Sequence, residues 1–216
     1  KGAGVMSAVG LSEAAGRALL AEFALEDSLA IAGINSNRGI TLAGRVEDLA
    51  RLEQVLIERE VFHRRLDLDY AFHSPAMEAI RAPLQQELAA LNPQRGELPF
   101  YSTVTGNRLG GDHLDADYWW RNIREPVQFQ ASIEALISDG FNVFVEMGPH
   151  AVLRTYINDC LRSSASQGRV ITTLQRGDSS ARRVRAACCH LLVAGTPLAL
   201  RQLFPAIGRA SGRARV

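Results

Sequence analysis

Apolar and polar positions alternate with two different periods along this chain, and the change of period divides it. Val5 to Leu11 reads as a short strand that runs into a helix cap. After Ser12-Glu13, apolar Ala15, Leu19, Leu20 and Phe23 recur at helical spacing. Leu29 to Ile34 is a buried strand, Asn35 to Gly39 is turn chemistry, and Ile40 to Ala43 returns. Val46 to Glu60 is a second helix with Val46, Leu49, Leu52, Val55 and Leu56 on its apolar side. Phe62 to Leu68 alternates as a strand. Strand, helix, strand, strand, helix, strand predicts a ferredoxin-like unit, with two helices on one face of a four-stranded antiparallel sheet.

Past Tyr70 the order changes. Ser74-Pro75 opens a helix expected to reach about Leu91, since a proline costs little in a first turn. Phe100 to Val104 is a short apolar strand and Asn107 to Asp117 a polar loop. Helices are expected over Tyr118–Ile123 and Val127–Ser138, a strand over Phe141–Glu146, and a helix from His150 to about Leu161. Strands alternating with helices imply a parallel, covered sheet. Two such strands are too few for a stable sheet alone, so this stretch reads as the end of a larger unit. Val170–Leu174 is expected as a strand and Ala181–Ala194 as a helix. The expected divisions are a ferredoxin-like part over 2–69, a second part over 70–163, a linker over 164–205 and a disordered tail over 206–216.

Composition narrows the class. At 47% hydrophobic and 22% charged the 216 residues can bury a core, and no apolar run nears the about 18 residues of a membrane span. Three cysteines, Cys160, Cys188 and Cys189, supply no C-x-x-C pair, which suits a reducing cytoplasm. The net charge of +1 hides an asymmetry: residues 169–216 hold nine arginines and one acid, whereas 1–168 hold 15 basic and 22 acidic side chains. A basic segment can bind nucleic acid, but this one lacks interleaved aromatics and any reading motif, so neither nucleic acid nor membrane is expected as a partner.

Among candidate chemical groups His73 stands out. It follows a strand, precedes a helix and sits in Tyr70-Ala71-Phe72-His73-Ser74-Pro75, a good place for a general base. The sequence contains no Gly-x-Ser-x-Gly, no P-loop, no Gly-x-Gly-x-x-Gly and no zinc signature. The residues alone thus provide a base without its nucleophile.

Six ordered segments resemble the malonyl-CoA:acyl-carrier-protein transacylase family, and most closely the acyltransferase domains of type I polyketide synthases. They are Gly4 to Val9, Ile31-Ala32-Gly33-Ile34-Asn35-Ser36 through Gly44, Tyr70 to Glu78, Tyr101 to Gly106, Tyr118-Trp119 through Phe129, and Phe144 to His150. The resemblance implies an α/β fold in which a ferredoxin-like subdomain is followed by the carboxyl-terminal part of an α/β-hydrolase-like one. It implies transfer of a malonyl-type group from coenzyme A, through a serine ester, to the phosphopantetheine thiol of an acyl carrier protein. The chain is then about the carboxyl-terminal two-thirds of such a domain, its serine upstream and its activity absent in isolation. By the same resemblance His73 is the general base, the backbone carbonyl of Asn122 orients it, and Phe72, Tyr70 and Asn35 lie at the substrate. A phenylalanine before that histidine accompanies malonyl. No cofactor is implied beyond the coenzyme A thioester as substrate; the partners implied are the acyl-CoA, the carrier protein and other synthase domains. The competing function is a non-catalytic docking module for an acyl carrier protein, whose acidity the basic linker would complement.

Overall fold

The computed structural model describes residues 4–178 and 181–197; the tail expected over 206–216 lies outside the described residues. The first unit comprises β1 (Gly4–Val9), α1 (Glu13–Glu22), β2 (Leu29–Ser36), β3 (Gly39–Arg45), α2 (Val46–Glu58) and β4 (His63–Arg65). The sheet order is β2-β3-β1-β4, antiparallel throughout, which is the ferredoxin-like arrangement. Ser12 caps α1 by accepting from Ala15 N–H at 3.2 Å. Leu19 and Leu20 of α1 and Leu49, Leu52 and Leu56 of α2 bury against Val9, Ile31, Ile40 and Leu42 of the sheet. Contact there is tight: a Cβ on Gly16 would stand 2.3 Å from Ile40 Cδ1. β4 is only three residues long, shorter than the expected 62–68, and Phe62 is left exposed beside it.

Ser7 lies between Val5 and Val9 on β1 and is fully buried, and its Oγ has no hydrogen-bond partner. A buried hydroxyl without a partner costs about 1–3 kcal/mol. Ser7→Ala is therefore expected to stabilise this unit by about 1 kcal/mol; a urea midpoint that stays put or falls would contradict the assignment.

The second part begins with a 3₁₀ turn over Pro75–Ile80, followed by α3 (Arg81–Glu87), α4 (Ala116–Arg124) and α5 (Phe129–Ser138). The helix expected from Ser74 to about Leu91 is thus two short pieces. β5 (Phe100–Ser102) and β6 (Asn107–Leu109) form an antiparallel hairpin, where a strand and a polar loop were expected. Gly106, at φ 72°, makes the turn in a backbone region that glycine tolerates. β7 (Val143–Glu146) pairs in parallel with β8 (Arg169–Thr172), and α6 (Arg154–Ser163) crosses between them. β8 was expected in the linker, so a hydrogen-bonded pair spans the boundary drawn between 163 and 164. α7 (Ala181–Val193) follows β8. Ile133 of α5, Phe144 of β7 and Ile157, Cys160 and Leu161 of α6 make a second, smaller core.

The two parts meet along β2. Val127 N–H donates to Ala32 O at 2.9 Å and Ile34 N–H to Val127 O at 2.8 Å, placing Val127 on the edge of the four-stranded sheet. At the far end of β2, Ser36 Oγ donates to Asp159 of α6 at 3.1 Å, with both residues buried.

Candidate active site

His73 sits where these parts converge. Its backbone has φ 57°, the left-handed region, which costs a non-glycine residue about 1–3 kcal/mol and persists only when its surroundings enforce it. The enforcement is visible. His73 N–H donates to Ile123 O at 3.0 Å. Ser74 accepts from Ala76 N–H at 3.3 Å and donates to Ala71 O at 2.6 Å, starting the 3₁₀ turn directly after the strained residue. Glu78 in that turn pairs with Arg124 of α4 at 2.8 Å, and the Arg81 guanidinium stands 5.5 Å from the Trp120 ring centre.

The imidazole is oriented by a carbonyl. Nδ1 lies 2.9 Å from Glu125 O, and a carbonyl only accepts, so Nδ1 carries the proton and Nε2 is left with its lone pair. The carbonyl is Glu125's and not that of Asn122, which corrects the sequence expectation. Asn122 lies inside α4, where carbonyls run along the helix axis. Glu125 caps that helix with extended dihedrals of φ −84° and ψ 158°, the conformation its neighbour Pro126 favours. That turns its carbonyl out of the helix and onto the ring. A bidentate pair between the Glu125 carboxylate and Arg121, at 2.9 and 3.1 Å, holds the capping residue.

Burial pushes the His73 pKa below its ordinary value of 6.5, against a smaller upward pull from the Glu125 carbonyl. The ring is therefore neutral at pH 7. Because the folded value is the lower one, the unfolded chain takes up this proton more readily. The stability contribution is complete above pH 6.5 and declines as pH falls through 6.5 towards the folded midpoint. An NMR titration of the His73 ring is expected to give a midpoint below 6.5; one above 6.5 would show that the carbonyl dominates.

His73 borders a cavity of about 320 Å³ between the two parts, with Arg17 and Leu20 of α1, Glu26 ahead of β2, Leu29, Ala30 and Ile31 of β2, and Arg124 and Pro126 on its walls. The other expected site residues divide. The Phe72 ring is 6.4 Å from the His73 ring and 5.4 Å from that of Tyr70, so these three gather. Phe72 packs on Met6, Ala32, Ala43 and Ala71 over the helix-free face of the sheet, and is not among the residues lining the cavity. Asn35 is elsewhere: its Nδ2 donates to Thr41 Oγ1 at 3.0 Å, and its carbonyl faces Cys160 Sγ at 3.9 Å. Sequence reasoning missed Glu125, Ile123 and the Glu78–Arg124 pair. The one available signal was Pro126, which makes the residue before it extended.

Comparison with known proteins gives the family and the fold. Residues 1–197 match the acyl transferase domain family. The chain is 36% identical over 197 residues to the mycoketide-CoA synthase of Mycobacterium tuberculosis, covering 90% of this chain and 5% of that protein. It is 39% identical over 166 residues to the spectinabilin polyketide synthase system protein NorA' of Streptomyces orinoci, covering 75% of this chain and 4% of that protein. Its structure superposes on the acyltransferase domain from module 8 of the salinomycin polyketide synthase with a TM-score of 0.87 and 30% identity, covering 91% of this chain and 46% of that one. A malonyl CoA-acyl carrier protein transacylase from Clostridium perfringens shares the fold, at TM-score 0.76 and 18% identity. The chain belongs to the acyltransferase domains of type I polyketide synthases. It spans a few per cent of the synthases and about half of the solved acyltransferase chains.

Proposed function

We propose that this chain supplies the base and the acyl-binding floor of an acyltransferase that moves a malonyl-type group from coenzyme A to an acyl carrier protein. The observation that carries this is the His73 ring, held with Nδ1 on the Glu125 carbonyl and Nε2 free to accept a proton. The nucleophile is a serine from outside these 216 residues. Nε2 takes the serine proton as Oγ attacks the thioester carbonyl, and the imidazolium returns it to the departing coenzyme A thiol. The carrier thiol then gives its proton to Nε2 and attacks the serine ester; its sulfur–acyl bond forms as the ester bond breaks, and the imidazolium returns the proton to the departing serine Oγ. A carbonyl fixes the tautomer for both steps without the charge of an aspartate, so the imidazolium stays a willing proton donor.

The test joins this chain to an upstream half carrying a Gly-His-Ser-x-Gly elbow and exposes it to radiolabelled malonyl-CoA. Label on the serine, lost on adding a holo carrier protein, is the expected result. A folded, joined domain that takes no label would overturn the reading. Phe72 is proposed as the malonyl determinant because its ring, 6.4 Å from the His73 ring and packed behind the cavity wall, limits how far that wall can give way to an α-methyl. Phe72→Ser in the joined domain is expected to raise methylmalonyl over malonyl by about 10- to 200-fold in a two-substrate competition. An unchanged ratio would make Phe72 a packing residue only.

A further inference from the structure

The wall of the His73 cavity formed by β2 is an open sheet edge, and its backbone groups point into a usable place. β2 is an edge strand, and in an antiparallel sheet successive residues turn their backbone groups to opposite sides. The phase is set by bonds elsewhere in the sheet. Met6 O accepts from Leu66 N–H and Gly10 N–H donates to Phe62 O, so even-numbered residues along β1 face β4. Odd-numbered ones face β3, at Val5 opposite Gly44 and Ser7 opposite Leu42. Ala43 and Arg45 of β3 must then face β2, and Arg45 N–H does donate to Ser28 O at 3.3 Å. Ser28 and Ala30 are thereby turned into the sheet, and Leu29 and Ile31 outwards; the register shift between Ile31 and Gly33 then reverses the phase, so that Ala32 C=O and Ile34 N–H also face out, to Val127. Leu29 N–H is used by Leu25 O at 2.8 Å. Leu29 C=O, Ile31 N–H and Ile31 C=O are left at the edge, on residues that line the same cavity as His73.

The chain itself occupies this edge only a little farther along. Val127 pairs there, between Ala32 and Ile34. Pro126, just before it, has no N–H to offer, and the Glu125 carbonyl is committed to His73. Among the described residues, strand addition by the chain's own backbone therefore stops at Val127, and the segment of edge beside the base has no backbone partner.

We propose that this vacant edge of β2 takes the pantetheine arm as an added strand. The inference rests on the function proposed above and names how that substrate is held. The arm is an extended chain with two secondary amides, common to coenzyme A and to a holo carrier protein. One amide carbonyl can accept from Ile31 N–H, and amide N–H groups can donate to Ile31 C=O or Leu29 C=O, as in peptide recognition by strand addition. The methylenes between the amides meet Leu20, Leu29 and Pro126 on the cavity walls. Pairing along a strand fixes the arm's direction and so delivers its thioester end towards His73, whichever group lies beyond the other end.

The test uses the chain as it stands, labelled with ¹⁵N and titrated with pantetheine, coenzyme A, a holo carrier protein and adenosine 3′,5′-bisphosphate. Pantetheine is expected to shift the Ile31 amide and the His73 ring and to slow Ile31 amide exchange by about tenfold at saturation, while Leu42, inside the sheet, does not move. Shifts with coenzyme A assign the pairing to loading and shifts with the carrier protein to transfer; either supports it. Replacing the Ile31 amide by an ester deletes only that N–H, and should weaken pantetheine binding about three- to tenfold, the worth of one hydrogen bond. Shifts from adenosine 3′,5′-bisphosphate with none from pantetheine, or unchanged affinity in the ester variant, would overturn the proposal. Should the ester variant not fold, the Ile31 response of the unmodified chain decides the matter. Serine labelling in the joined domain without an Ile31 shift would sink the pairing and spare the function; the converse result would do the opposite.

Discussion

His73→Ala, made in a domain completed by a serine elbow, is expected to lower acyl transfer by about four to six orders of magnitude, as loss of the base does in serine enzymes. The size follows from the geometry. Among the described residues bordering the cavity His73 is the one imidazole, with Nε2 free because its other nitrogen is committed to Glu125 O; the Glu26 carboxylate lines the same cavity but has no such orienting contact to the site. Without it a serine hydroxyl must lose its proton to water or to a carboxylate not oriented for the task. His73→Gln keeps a polar group of similar length but no basic nitrogen, so it should be almost as slow. A positioning defect, by contrast, would leave much of the rate intact. The pH profile gives a second readout: the rate should rise with pH through a midpoint below 6.5, because burial lowers the His73 value. A variant within tenfold of the parent would remove His73 from the chemistry.

Glu146→Ala is expected to cost about 3 kcal/mol of stability. Glu146 ends β7 and is buried, and its carboxylate accepts from the N–H groups of Val152, Leu153 and Arg154 at 2.7, 2.9 and 3.1 Å. Arg154 opens α6, Leu153 is its N-cap and Val152 comes just before it, so these are donors that the helix cannot satisfy itself, and a carboxylate there also meets the positive end of the helix dipole. Truncation leaves three donors without this acceptor, at about 1–2 kcal/mol for a lost cap and more for charge-assisted bonds. Glu146→Gln keeps the shape and should recover about half. The consequence reaches the site, because Ser36 at the end of β2 is tied to Asp159 of α6. Urea unfolding measures the loss directly. A change under 0.5 kcal/mol, a size typical of surface substitutions, would mean that water replaces the carboxylate without penalty.

The ferredoxin-like unit was legible because each element carries its own period. Leu49, Leu52 and Leu56 repeat along one face of α2, and Leu29 to Ile34 is apolar because both faces of β2 are covered. The later elements were less so. Asn107–Leu109 reads as loop by its polarity, yet Gly106 folds it back onto Phe100–Ser102. A strand was expected over Val170–Leu174 and forms over Arg169–Thr172, but nothing local in it names β7 as its parallel partner. Short strands carry too few residues for a period, so their partners decide them.

At the site the same division holds. Sequence by itself determined the family, the strand–turn–helix setting of His73 and the extended backbone that Pro126 imposes on Glu125. All of these depend on residue type and near neighbours. Tertiary structure alone decided which carbonyl reaches the ring, since Glu125 and Asn122 are three residues apart and both about fifty residues from His73 in the chain. It also decided that Phe72 turns to the alanine-rich floor while Ile31 and Leu29 face the base. Those outcomes depend on β2 being an edge strand and on Val127 docking beside it. Pairing across nearly a hundred residues leaves no mark in local pattern, because the groups that pair are backbone groups, and every residue has them.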